Sequence, residues 1–214
     1  MKKHLIITAL LFYTGFGFAQ KMSDLFMQMP DSLAQTLDKT LKSSLIAAWK
    51  DSDNTSAVGK NKLGGKSELK ELTDNYLFLQ TSAGNSIEIK RLPVNEYYNI
   101  LCFIRTGCAP ACDSRISFYT TEWKPLKNNY FIPVSETVFY QIGMSEKCTS
   151  VKESLDMHPI KYSLNKDNLQ LTATYSIGEY INKDDYETLK SCLQETCSFD
   201  WIDGKFQSIT NYKK

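Results

Sequence analysis

Six cysteines, Cys102, Cys108, Cys112, Cys148, Cys192 and Cys197, are the residues best suited to covalent chemistry, and their spacing narrows which kind. Cys108 and Cys112 have three residues between them rather than two, and no β-α-β pattern surrounds them, so they do not read as a thioredoxin-type redox pair. An even number of cysteines in an exported chain favours disulfides over free thiols, and over a four-cysteine zinc site, because an oxidising compartment closes the bridges first. Local spacing suggests two of them: Cys108 with Cys112 across Ala109-Pro110-Ala111, and Cys192 with Cys197 just beyond a helix end, which leaves Cys102 and Cys148. Bridges over such short loops contribute about 2–3 kcal/mol each at best, so they would pin loops rather than hold the whole fold.

Other chemistries find little support. His4 belongs to the leader described below, so His158 is the one histidine of the mature chain. A single imidazole cannot build a histidine-rich zinc site, and Ser114 and Ser135 lack the strand-turn-helix setting of an activated serine. The segment GKNKLGGKS (59–67) ends like a phosphate-binding loop, but five residues, not four, separate Gly59 from Gly65, and no apolar strand precedes it. Glu136, Glu146, Glu153, Asp156, Asp184 and Asp185 are candidates for a glycosidase-type carboxylate pair, yet each lies in a polar stretch that would leave its pKa ordinary. Tyr97, Tyr98, Tyr119, Trp123, Tyr130, Phe131, Phe139, Tyr140 and Trp201 could stack on sugar rings or form an interface; strand packing accounts for most of them.

The elements that would position these residues follow from periodicity. Pro30-Asp31-Ser32 offers a helix start, and Leu33, Leu37, Leu41, Leu45 and Trp49 recur at helical spacing, with Lys39, Lys42 and Lys50 largely off that stripe, which predicts one amphipathic helix over 32–50. A polar loop follows at 51–66. Alternation and turn residues predict a hairpin of 76–82 with 86–92 around Ala83-Gly84-Asn85, then strands at 100–105, 115–121, 137–142, 160–164 and 169–175, and a second hairpin, 199–202 with 205–209, around Asp203-Gly204. Residues 183–193 read as a second, short helix. Strands joined by tight turns, with helices at the start and in the C-terminal half, predict an α+β protein built mainly on antiparallel sheet.

Composition bounds the rest. The 214 residues are 42% hydrophobic and 12% aromatic, enough apolar surface to close a core. A basic start (Lys2, Lys3), an apolar run from Leu5 to Phe12, and small residues at Gly17 and Ala19 form the three parts of a secretory signal, with cleavage expected after Ala19. That leaves about 195 residues, 20–214, expected to form a single α+β domain. Loss of Lys2 and Lys3 reduces 25 basic residues to 23, against 24 acidic ones. A near-neutral mature chain has no broad basic field for nucleic acid or an anionic membrane, and no later stretch is apolar and long enough to span a bilayer.

Several strings together carry a family resemblance: MPDSL (29–33), GGKSELKELTDNYL (64–77), KRLP (90–93) and ILCFIRTGCAPACDSRISFYTTEWKPL (100–126). Over about residues 27–126 the chain resembles the exported domain-of-unknown-function family 3256 of Bacteroidetes. The resemblance implies an envelope or secreted location and brings no catalytic residue, cofactor, metal or ligand with it. Physical reasons for the shared residues also exist: Asp31 can cap a helix, Gly64 and Gly65 permit a turn, and Asp113 with Ser114 can form a side-chain-to-backbone turn.

The expected function is a periplasmic or surface-exposed, non-enzymatic binding module that contacts a protein or glycan of the envelope and needs no cofactor. Its expected contact surface is the loop 106–115, with Arg105, Cys108, Pro110, Cys112, Asp113 and Arg115, because a crosslinked loop between two core strands loses little entropy on binding. A hydrolase of envelope polymers using a carboxylate pair is the alternative.

Overall fold

The computed structural model of the chain describes residues 20–53, 55–127 and 129–209; the leader read at 1–19 lies outside the described residues. Two helices open the fold, α1 (Met22–Gln28) and α2 (Lys39–Asp51). Six strands follow as an antiparallel meander paired in chain order: β1 (Ala57–Lys60), β2 (Lys66–Leu72), β3 (Tyr76–Ser82), β4 (Asn85–Pro93), β5 (Asn99–Cys108) and β6 (Cys112–Thr120). The chain then passes a 3₁₀ turn (Glu136–Phe139), α3 (Glu146–Glu153), β7 (Ile160–Leu164), β8 (Gln170–Tyr175), a second 3₁₀ turn (Ser176–Glu179), α4 (Lys183–Lys190), β9 (Thr196–Ile202) and β10 (Lys205–Ser208). These last four strands form an antiparallel sheet in the order β10-β9-β8-β7. The class is α+β.

The near-continuous apolar run of β5 has a direct cause: both faces of the six-stranded sheet are covered. Leu101 and Phe103 join Leu41, Leu45, Trp49, Leu77 and Ile89 under the helices. Ile100, Cys102 and Ile104 join Leu171, Ala173, Phe199 and Phe206 under the second sheet.

Several elements depart from the sequence reading, among them β2, which it does not predict. Helix α2 begins at Lys39, not at residue 32, because Asp38 caps it: its Oδ1 accepts from the Leu41 N–H at 2.7 Å. Residues 31–33 form a 3₁₀ turn, and the Thr36 carbonyl accepts from Lys62 N–H. Lys42 does not lie off the apolar stripe. It is 1% exposed, and its ammonium donates to the Met29 carbonyl and to Asp31 at 3.0 Å, so Asp31 serves a buried lysine rather than a helix end. The stretch 51–66 contains a strand, β1, packed on α2; Gly59 permits this, since a Cβ there would fall 2.4 Å from Leu41 Cδ1. The strand expected at 137–142 is the first 3₁₀ turn, which seats Phe139 against the Tyr175 ring with centroids 5.3 Å apart.

The two sheets meet where β7, an edge strand of the smaller sheet, packs against β6, β5 and β4 of the larger. Its outward amides are taken in turn by side chains: Ile160 N–H donates to Asp113 Oδ1 (3.0 Å) and Tyr162 N–H to Ser114 Oγ (3.0 Å), both on β6, and Leu164 N–H donates to Glu88 Oε2 (2.8 Å) on β4. Just beyond it, Lys90 Nζ donates to the carbonyls of Asn165 (2.5 Å) and Lys166 (3.0 Å), and Lys166 pairs with Glu71 on β2 at 3.0 Å. An edge strand that would otherwise offer a row of unpaired amides is thereby closed by side chains instead of another strand.

Candidate functional site

Strands β5 and β6 run farther than their apolar cores, up to Cys108 and from Cys112, so the expected loop 106–115 shrinks to a hairpin tip of Ala109, Pro110 and Ala111. The tip is closed by the Cys108–Cys112 disulfide, and the Ala109–Pro110 peptide is cis. Within the ladder Arg105 stands directly opposite Arg115, and both are exposed. Among the described residues neither forms an ion pair, and the Arg105 guanidinium lies 5.9 Å from the Phe103 ring centroid. Like charges directly opposite on neighbouring strands oppose folding, so an anion arriving from outside would relieve this pair. Arg105 also borders a hollow of about 290 Å³ between the 32–36 segment and the ends of β3, β4 and β5, where Gln35, Thr36, Asn85 and the exposed Leu63 converge.

Asp113 belongs elsewhere. Its carboxylate accepts from β7, so this member of the expected contact loop serves the junction between the sheets. The second bridge is also different: Cys192 pairs with Cys148, with Cα atoms 6.6 Å apart, and not with Cys197. Cys192 follows α4, which packs on α3 and its Cys148, whereas Cys197 lies on β9 opposite Ala173 and points into the core. Cys102 and Cys197 are buried free thiols; burial pushes the Cys102 thiol well above its ordinary pKa, which leaves it inert.

The carboxylates singled out by the sequence are spread over several elements. Glu146 heads α3, Asp184 and Asp185 head α4, and Asp156 accepts from the Tyr180 hydroxyl at 2.9 Å. His158 Nδ1 lies 2.8 Å from the Tyr175 hydroxyl, which in turn meets Tyr140. The segment 59–67 is the β1–β2 turn, and Asn61 Oδ1 already accepts from the Leu63 and Gly65 N–H groups, so no amide cradle is left for a phosphate.

One carboxyl escaped the sequence reading. Glu88, on β4, is 6% exposed, and its Oε2 accepts from both the Tyr76 hydroxyl (3.0 Å) and Leu164 N–H. Burial raises its pKa, against the pull of those two donors and of the Lys161 charge. It borders a hollow of about 290 Å³ at the sheet junction, together with Phe78, Ser86, Lys161 and Ser163. In the sequence Glu88 alternates with Ile87 and Ile89, a pattern that places it on a solvent face; only the second sheet makes that face interior.

No curated protein matches the chain. Among solved structures, a domain of an uncharacterized protein from Porphyromonas gingivalis W83 shares the fold at a TM-score of 0.74 and 24% identity, covering 86% of this chain and 96% of that one. The model of the family described as "Protein of unknown function (DUF3256)" matches residues 17–206, and so extends beyond the 27–126 resemblance through β7 and β9 into β10. A match over that span, which takes in both sheets and the junction between them, places this chain in the DUF3256 family.

Proposed function

We propose that this chain is an exported, non-enzymatic interaction module of the bacterial envelope, periplasmic or surface-exposed, whose protein or glycan partner presents acidic groups to the Arg105–Arg115 pair. The observation that carries the reading is the juxtaposition of two exposed arginines, in register and without a carboxylate partner among the described residues, on a disulfide-closed hairpin. Arginine offers forked donors to carboxylate, sulfate or phosphate, and a hairpin already rigid loses little freedom when it docks. Two disulfides suit an oxidising compartment outside the cytoplasm. The test is capture of partner from an envelope extract by the mature chain and by Arg105→Glu/Arg115→Glu. The double variant is expected to lose capture, and the parent's capture to weaken as salt rises. Capture that survives charge reversal overturns the proposal.

A further inference from the structure

Glu88 is more than nine-tenths buried, yet both of its hydrogen bonds land on one oxygen, Oε2. Neither bond reaches Oε1, and Glu88 lines the hollow at the sheet junction, so this oxygen keeps its acceptor capacity beside that hollow. Around the hollow stand Lys161 and Ser163 from β7 and Ser86 from β4, none with a side-chain hydrogen bond or ion pair of its own among the described residues. The half-buried Phe78 ring supplies an apolar wall.

These groups select a ligand by elimination. An anion attracted to Lys161 would meet the carboxyl of Glu88, and a cation attracted to Glu88 would meet the ammonium of Lys161. A neutral molecule rich in hydroxyls suits both, because each hydroxyl can donate to Oε1 and accept from Nζ, while the serines complete the set. One face of a sugar ring presents C–H groups that pack on an aromatic ring such as Phe78. The volume, about 290 Å³, lies at the lower end of the range for small-molecule sites and holds one ring rather than a chain. We propose that the hollow at the junction of β3, β4 and β7 binds a single neutral pyranose unit, with Glu88 Oε1 as acceptor, Lys161 as donor and Phe78 as the stacking face.

The proposal does not depend on the arginine pair and is tested apart from it. The ¹⁵N-labelled mature chain is titrated with the methyl glycosides of glucose, galactose, mannose and N-acetylglucosamine, with sodium acetate and methylammonium chloride as charged controls. At least one glycoside is expected to produce saturable amide shifts at Ser86, Lys161, Ser163 and Leu164, with Kd on the order of 1 mM. Lys161→Ala and Ser163→Ala, which remove side chains that make no hydrogen bond or ion pair among the described residues, should each weaken that binding by about 5- to 10-fold, whereas Lys50→Ala on α2 should not change it. Absence of saturable shifts with all four glycosides overturns the proposal, as does affinity unaltered by Lys161→Ala or saturation by acetate or methylammonium in preference to the sugars.

Discussion

Replacing Glu88 should change how stability depends on pH, and the sign follows from its surroundings. Burial outweighs the Leu164 N–H, the Tyr76 hydroxyl and the Lys161 charge, so the folded pKa lies above the ordinary carboxyl value and folding favours the protonated form. The stability contributed by Glu88 is therefore complete below the unfolded pKa, about 4.3, and is lost as pH rises through the higher folded value. One titrating group gives a slope of at most about 1.4 kcal/mol per pH unit. Glu88→Gln has no proton to lose, so its stability minus that of the parent should climb with pH from about 4 and level off above the folded pKa. Asp31, Glu68 and Glu122 carry lowered pKa values through hydrogen bonds from Lys42, Ser56 and Thr121, and so lose stability as pH falls; both proteins share them, and the difference cancels them. Glu88→Ala abandons two buried donors, each worth about 1–3 kcal/mol when unpaired, so at low pH it should cost about 2–6 kcal/mol. Urea unfolding followed by tryptophan fluorescence, repeated from about pH 3 to pH 8, measures all three proteins across the range in which carboxyl groups titrate. A parent-to-Gln difference that is flat or falls with pH refutes the argument, as does an Ala variant within about 1 kcal/mol of the parent at low pH.

The junction makes a second prediction: Asp113→Ala and Ser114→Ala each orphan one outward amide of β7 and should cost about 1–3 kcal/mol in urea unfolding, while a purely surface role for Asp113 would leave stability unchanged. The cysteines make a third. Cys148→Ser/Cys192→Ser opens a link over a sequence separation of 44 and should lower stability by about 4 kcal/mol, against about 2 kcal/mol for Cys108→Ser/Cys112→Ser with its separation of 4, so the reverse order would contradict loop-closure entropy here. Thiol titration of the parent should find no reactive group in the native state and two after unfolding, Cys102 and Cys197; any other count after unfolding breaks the pairing described above.

Several strands that pair with their neighbours in sequence could be read from residue types alone, although β1 and β2 could not. The 76–93 hairpin, the apolar run of β5, β8 and the 183–190 helix carry local signals, namely turn residues, alternation and helical spacing, that physics reads within a window of about ten residues. The same holds for the Cys108–Cys112 closure, because three intervening residues keep the two sulfurs close whatever the rest of the chain does. Arg105 and Arg115 were visible as candidates, but their direct opposition depends on the β5–β6 register, which extends the ladder to the tip. β1 was hidden because its Val-Gly-Lys composition looks like loop until α2 packs on it.

Tertiary structure alone decided what each polar residue is for. Lys42, Glu88 and Lys90 lie in patterns that read as solvent-facing, yet all three are buried, because a polar side chain can stay inside wherever a distant backbone or hydroxyl answers it. Glu88 meets Leu164 across a separation of 76 residues, and Lys90 meets Asn165 across 75. The pairing of Cys148 with Cys192 likewise waits on two helices coming together. Hydrophobic periodicity records which side of an element is apolar; it carries no record of what will cover the other side, and in this protein the covering sheet turns an apparently wet face into the junction where the buried carboxyl and its hollow are found.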